Sequence, residues 1–190
     1  MIGFIKKTCV ILIGFVFFIL PATASANIEV LFQAPVTYYF FAADDGETLK
    51  ANSNPSGFLG SMELTDFAGL GKNYSFGLGI DYYTIPLEDQ INKITYSFAN
   101  VHARFPFFSD LLSARAGIGF GSTEIEGISK DSFQKTEATQ FFGKIGLDFS
   151  EEAELILSLH NVFAQIKKKN NSTLLEAGGI LLSLGLGMKF

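Results

Sequence analysis

The sequence predicts an all-β fold, an eight-stranded antiparallel up-and-down barrel that crosses a membrane. Three observations predict it. Large apolar residues alternate with small or polar ones at period two over stretches of about ten residues. The composition, 21 Phe, 6 Tyr and 19 Gly with 5 Pro and no Trp, favours strands over helices. The alternating segments are eight, an even number that returns the chain to the side from which it started.

The chain begins "MIGFIKKTCVILIGFVFFILPATASA". Lys6 and Lys7 form a basic start, Cys9–Leu20 an apolar run, and Ala24-Ser25-Ala26 a small-residue cleavage site, the three parts of a signal peptide. The run falls short of the roughly 20 residues a membrane helix needs. The expected organisation is a cleaved signal peptide over 1–26 and one barrel domain over 27–190. Cys9 leaves with the signal, so the mature chain would hold no disulfide. Lys6 and Lys7 leave too, taking the net charge from -5 to -7, the wrong sign for a nucleic-acid partner.

Strands are expected at about 28–42, 57–66, 74–84, 94–107, 111–122, 138–149, 153–166 and 174–190. In "YSFGLGIDYY", Tyr74, Phe76, Leu78, Ile80 and Tyr82 share one face opposite Ser75, Gly77, Gly79, Asp81 and Tyr83. "LSARAGIGFG" and "FFGKIGLDF" repeat the pattern. A soluble sandwich would put Lys, Glu and Thr on its polar face. Rows of glycine suit a narrow lumen packed with side chains, with the apolar face toward lipid. Pro35 marks a bend or bulge in the first strand. Two phase shifts are expected, near Ala99–Asn100 and near Asn161. The outer connections, such as "DDGETLKANSNPS" and "KKKNNST", are longer on average than the inner ones, "DFAGLGKN", "SD" and "SEE".

The chain ends "SLGLGMKF". Ser183, Gly185, Met188 and Phe190 fall on the polar, Gly, hydrophobic and aromatic positions of the C-terminal signal of outer-membrane barrels, which this segment resembles. The whole mature region is similar to the small eight-stranded barrels of the OmpX, OmpW and OmpA-membrane-domain families. The resemblance implies a last strand read by the barrel-assembly machinery and closed against the first. It also implies a bacterial outer-membrane location, a monomer, and lipid and lipopolysaccharide as surroundings.

Outward aromatics are expected in two bands, Phe58, Tyr82, Tyr96, Phe120 and Phe141 toward one side and Phe67, Phe105, Phe107, Phe149 and Phe190 toward the other. Parity places Glu63, Asp81, Arg104, Arg115, Lys144, Asp148 and Lys189 in the lumen, where buried charges need partners. A complete ion-pair network there points to a structural or surface-interacting barrel. Unfilled glycine layers would point to a narrow channel for small or apolar solutes.

A third reading, a lipid A-modifying hydrolase, rests on Ser158 and His160 in "LSLHN" with Glu154, but their parity turns them to the lumen. His102 stands alone as an interior histidine. Lys167, Lys168 and Lys169 are candidates for lipopolysaccharide phosphates. No metal cluster, cofactor or nucleotide fingerprint stands out, and "GLGKNYS" lacks P-loop spacing. The expectation is a protein without covalent chemistry of its own.

Overall fold

The computed structural model describes residues 27–41, 54–65, 74–87, 92–107, 109–127, 133–169 and 174–190. Residues 1–26, where a signal peptide is expected, Phe67 and the side chain of Phe107 lie outside the described residues. The strands are β1 (Asn27–Phe40), β2 (Ser56–Thr65), β3 (Ser75–Pro86), β4 (Lys93–Phe107), β5 (Ser109–Glu126), β6 (Phe133–Gln134), β7 (Thr136–Asp148), β8 (Ala153–Lys168), β9 (Leu174–Glu176) and β10 (Gly179–Lys189). Eight of them, β1–β2–β3–β4–β5–β7–β8–β10, pair antiparallel in turn, and β10 returns to β1 to close the barrel. The short β6 and β9 flank the end of β8 farthest from the chain ends.

The register fixes the width. Stepping across the ladder from Asn27 leads to Thr65, Ser75, Arg104, Arg115, Lys144, Ser158, Ser183 and back to Pro35, eight residues farther along β1. A shear of eight over eight strands gives a narrow barrel that side chains can fill. The ladder slips between Pro35 and Thr37, a bulge at the proline that the sequence marks.

The outer surface is apolar. Phe32, Met62, Ile80, Val101, Phe120, Ile145, Leu159 and Leu186 all point out and stay exposed. On β5 the outward apolar run goes from Leu112 to Phe120, the length a tilted strand needs to cross a bilayer. Beyond Phe120 the outward residues turn polar, with Ser122 and Glu124 next on the same face.

The interior changes in the opposite sense at the same level. Beside the apolar belt it holds Glu29, Glu63, Arg115, Lys144, Asn100, His160 and Gln140, all buried. Beyond the belt it is an apolar cluster of Tyr38, Tyr83, Ile85, Ile94, Tyr96, Phe98, Ile125, Val162, Ala164, Ile166, Ala177 and Leu181. The barrel is thus inside-out within the bilayer and an ordinary water-facing β-structure past it.

This inversion corrects three expectations. Tyr96 does not face lipid; it is fully buried in the distal interior. No bulge interrupts β4 at Ala99–Asn100, because pairing runs unbroken from Lys93 to Pro106. No slip falls near Asn161, since β8 pairs continuously with β7 and β10 across it. The residues change character there while the strand keeps its phase. Two connections also shrink: Ser109 already belongs to β5, and Lys167 and Lys168 lie within β8 rather than in a loop.

Candidate functional site: the barrel interior and its distal rim

Arg115 on β5 is the hub of the interior. Its Nε donates to Glu63, its Nη2 to Glu29 Oε1 at 3.0 Å, and its Nη1 to Ser113 Oγ at 2.8 Å. The same Nη2 lies 2.5 Å from Glu154 Oε1. Arg104, its ladder partner on β4, donates to Glu29 Oε2 at 2.7 Å and lies 3.8 Å from Glu154. Glu63 also accepts from Ser75 at 3.0 Å and sits 2.7 Å from His102 Nε2. Charges removed from water are tolerated only when paired and hydrogen-bonded in this way. Glu63, Arg104 and Arg115 are brought together as parity anticipates. Glu29 is an addition, and Glu154 joins this cluster instead of serving His160.

Toward mid-barrel a network centred on the Gln140 amide takes over. Gln140 Nε2 donates to Asp81 Oδ2 and to Asn100 Oδ1, both at 2.6 Å. Gln140 Oε1 lies 3.3 Å from His160 Nδ1, and His160 Nε2 lies 2.9 Å from Ser158 Oγ. Ser158 accepts from Gln33 Nε2 at 2.9 Å and also bonds Ser183. These bonds assign His160 the tautomer with its proton on Nδ1, leaving Nε2 to accept from Ser158. Asp81 Oδ2 stands 3.8 Å from His160 Nδ1. A serine, a histidine and an acid therefore do meet. Gln140 Oε1 accepts the hydrogen bond from His160 Nδ1, and Ser158, His160 and Asp81 are all buried.

Lys144 sits between the two networks. Its Nζ is 3.5 Å from Ser61 Oγ and 5.0 Å above the ring of Phe142. That ring stacks on His160 at 5.0 Å and meets His102 edge-on at 6.0 Å. Asp148 lies instead at the rim near the chain ends, paired with Lys189 at 2.6 Å.

The glycine rows have a packing explanation. One ladder row reads Glu63, Gly77, His102, Gly117, Phe142, so large side chains alternate with glycines around the barrel. A Cβ on Gly77 would strike the His102 ring, and one on Gly117 would strike Phe142. In the next row Asn100 and Gln140 lean over Gly119 in the same manner. These glycines make room for the neighbouring side chains that lie over them.

The distal interior is packed with aromatic side chains. Tyr83 and Tyr96 stack at 5.0 Å, and Phe98 stacks on both. Tyr38 and Tyr96 donate to the carbonyl of Ala177 at 2.9 and 2.5 Å. At the other end the last strand closes the wall: Phe190 N donates to Ile28 O at 2.8 Å, and Met188 faces Val30. Ser183 and Gly185 of the same segment face Pro35 and Gln33 across that seam.

Outside the barrel, Phe163 of β8 packs against Phe141 at 6.0 Å and Phe41 at 6.1 Å, an aromatic group at the distal edge of the apolar belt. The outward column of β8 continues past it as Gln165 and Lys167, and exposed Lys169 follows the strand. Lys93 and Lys135, also distal, are bound to Glu126 at 2.9 Å and Glu124 at 3.7 Å. The Lys93 ammonium and then the Thr95 hydroxyl hold the Glu126 carboxyl below the usual carboxylate range.

The sequence shows Gln33 and Glu29 at inward parity in β1, four residues apart, but the irregularity around Pro35 hides that phase. Gln140 and Asn100 carry no charge and so escape a search for ionisable residues.

No protein-family model matches the chain, and no curated protein matches it. Solved structures do. OprG of Pseudomonas aeruginosa superposes with a TM-score of 0.55 at 8% identity, covering 87% of this chain and 96% of its own. Ail of Yersinia pestis in a phospholipid bilayer nanodisc gives 0.54 at 12%, with 87% and 100% covered. Neisserial surface protein A gives 0.52 at 11%, with 88% and 98% covered. With its apolar belt, polar interior and closed ladder, the chain folds as a small eight-stranded outer-membrane β-barrel.

Proposed function

We propose that this protein is a non-conducting outer-membrane barrel, a rigid post that holds its distal end at the cell surface for interaction with lipid or with a partner. The observation that carries the reading is the filled interior. Gly77, Gly117 and Gly119 are covered by His102, Phe142, Asn100 and Gln140, and an aromatic layer packs the interior above them. A solute path would need volume that these side chains occupy.

The same packing speaks against a hydrolase, because Ser158 faces the lumen and its bonds to Gln33, His160 and Ser183 occupy it. On this reading residues 1–26 are removed after export, and 27–190 fold with the chain ends on the periplasmic side. The barrel-assembly machinery recognises the segment ending in Phe190, and the protein works as a monomer.

Refolding residues 27–190 into liposomes, with folding followed by the shift between boiled and unboiled gel bands, allows a direct test. The folded barrel is expected to be electrically silent in single-channel recordings. Reproducible current steps from the folded barrel would overturn the reading in favour of a narrow channel.

A further inference from the structure

Cations on the distal surface fall into two kinds. Lys93 and Lys135 are neutralised locally by Glu126 and Glu124. Lys167 and Lys169 have no carboxylate partner among the described residues. The acid nearest along the ladder, Glu176, is engaged elsewhere: its Oε1 accepts from Gly178 N at 3.1 Å, and its Oε2 lies 3.4 Å from Gln165 Nε2.

The support beneath these lysines is stiff. Lys167 belongs to β8, where β6 pairs with it through Gln134 and β9 through Leu174. It stands two outward positions beyond Phe163, whose contacts with Phe141 and Phe41 mark the edge of the hydrocarbon. Four residues of tilted strand rise about 10 Å at roughly 3.3 Å per residue. A lysine side chain reaches back part of that distance toward the headgroups. Lys167 and Lys169 are both exposed and lie two residues apart on one side of the rim.

We propose that Lys167 and Lys169 hold a phosphate of the phosphorylated glycolipid in the leaflet that surrounds the distal rim. The inference rests on the proposed orientation, with the distal end facing out of the cell. Compact ammonium groups suit a phosphate as point charges, and the aromatic group of Phe163, Phe141 and Phe41 offers apolar surface for the acyl chains just below. Charge complementarity and depth select this occupant. A protein partner would not need the cations to sit directly above the aromatic edge.

The test uses the refolded barrel in phosphatidylcholine vesicles containing bisphosphorylated lipid A, dephosphorylated lipid A or phosphatidylglycerol. The readout is the midpoint of thermal unfolding by gel shift. Bisphosphorylated lipid A at a hundredfold excess over its dissociation constant is expected to raise the midpoint by about 5 °C over its dephosphorylated form. The Lys167→Gln/Lys169→Gln double variant should lose most of that shift, while Lys135→Gln retains it.

An equal midpoint with dephosphorylated lipid A, or an undiminished shift in the double variant, would overturn the proposal. A shift as large with phosphatidylglycerol would overturn the glycolipid assignment. Orientation is checked separately by labelling a Lys167→Cys variant on intact cells with a membrane-impermeant maleimide. Failure to label sinks the orientation, whatever the vesicles show.

Discussion

The imidazole of His102 on β4 lies over Gly77 on β3, in the space a Cβ at residue 77 would occupy, and reaches past it to Glu63. The contact explains why a strand interior tolerates a glycine that would ordinarily weaken it. Gly77→Ala must displace a ring already fixed by a buried carboxylate. It is expected to cost about 1–3 kcal/mol of folding free energy. Gly143→Ala, on the lipid face with only Arg115 O nearby at 3.8 Å, is expected to stay within about 0.5 kcal/mol. Urea titration in lipid, followed by circular dichroism because the chain has no Trp, separates the two.

Removing the hub should be costlier. Arg115→Leu leaves Glu29, Glu63 and Glu154 without the guanidinium they share, with Arg104 beside Glu29 and Glu154 and His102 beside Glu63. The expected loss is about 3–5 kcal/mol, or failure to fold. A variant as stable as the parent would show that Arg115 does not organise the cluster.

Tyr96 gives a graded test of the distal closure. Tyr96→Phe removes the bond to Ala177 O and should cost about 1 kcal/mol. Tyr96→Ala also empties ring volume stacked on Tyr83 and Phe98, and should cost about 3–5 kcal/mol. Had Tyr96 faced lipid, both changes would be nearly neutral.

Ser158→Ala should destabilise the barrel without altering any chemistry, because its hydroxyl links Gln33, His160 and Ser183. The expected cost is about 1–3 kcal/mol from the partners left unpaired. Hydrolysis of acylated lipid by the parent chain but not by this variant would restore the hydrolase reading.

The Lys93–Glu126 pair at the rim carries a small pH dependence. The Glu126 carboxyl is depressed by the Lys93 hydrogen bond and then by Thr95, so the pair's contribution is complete above the ordinary carboxylate range. It is lost as pH falls through the lowered value. Both groups are partly exposed, so the stability effect is slight. A carboxyl NMR titration reads it directly: Lys93→Gln should move the Glu126 midpoint upward.

The strand count and the outward faces of β3, β5, β7 and β10 were legible because they rest on period two, the bulge because Pro35 marks it, and the closing strand because the C-terminal segment carries a recognisable pattern. The assignment of Tyr96 and the two phase shifts went astray for one reason. A rule that turns large apolar side chains toward lipid holds only as far as the lipid does. Phe98 and Tyr96 follow His102 and Asn100 on one face of β4, and the rule reads that succession as a bulge. Val162, Ala164 and Ile166 follow His160 on β8 with the same effect. How Gln140 satisfies Asp81, Asn100 and His160 together lay beyond reach, since it depends on three strands meeting at one depth.

β8 therefore carries two opposite substitution codes along one unbroken strand. From Leu155 to Leu159 the odd positions should accept only apolar replacements, while Ser158 and His160 admit polar ones. Past Phe163 the odd positions, Gln165 and Lys167, should vary freely among polar residues, while Ala164 and Ile166 resist any charge. A saturation library of this one strand would locate the membrane surface to within a residue pair, with no lipid in view.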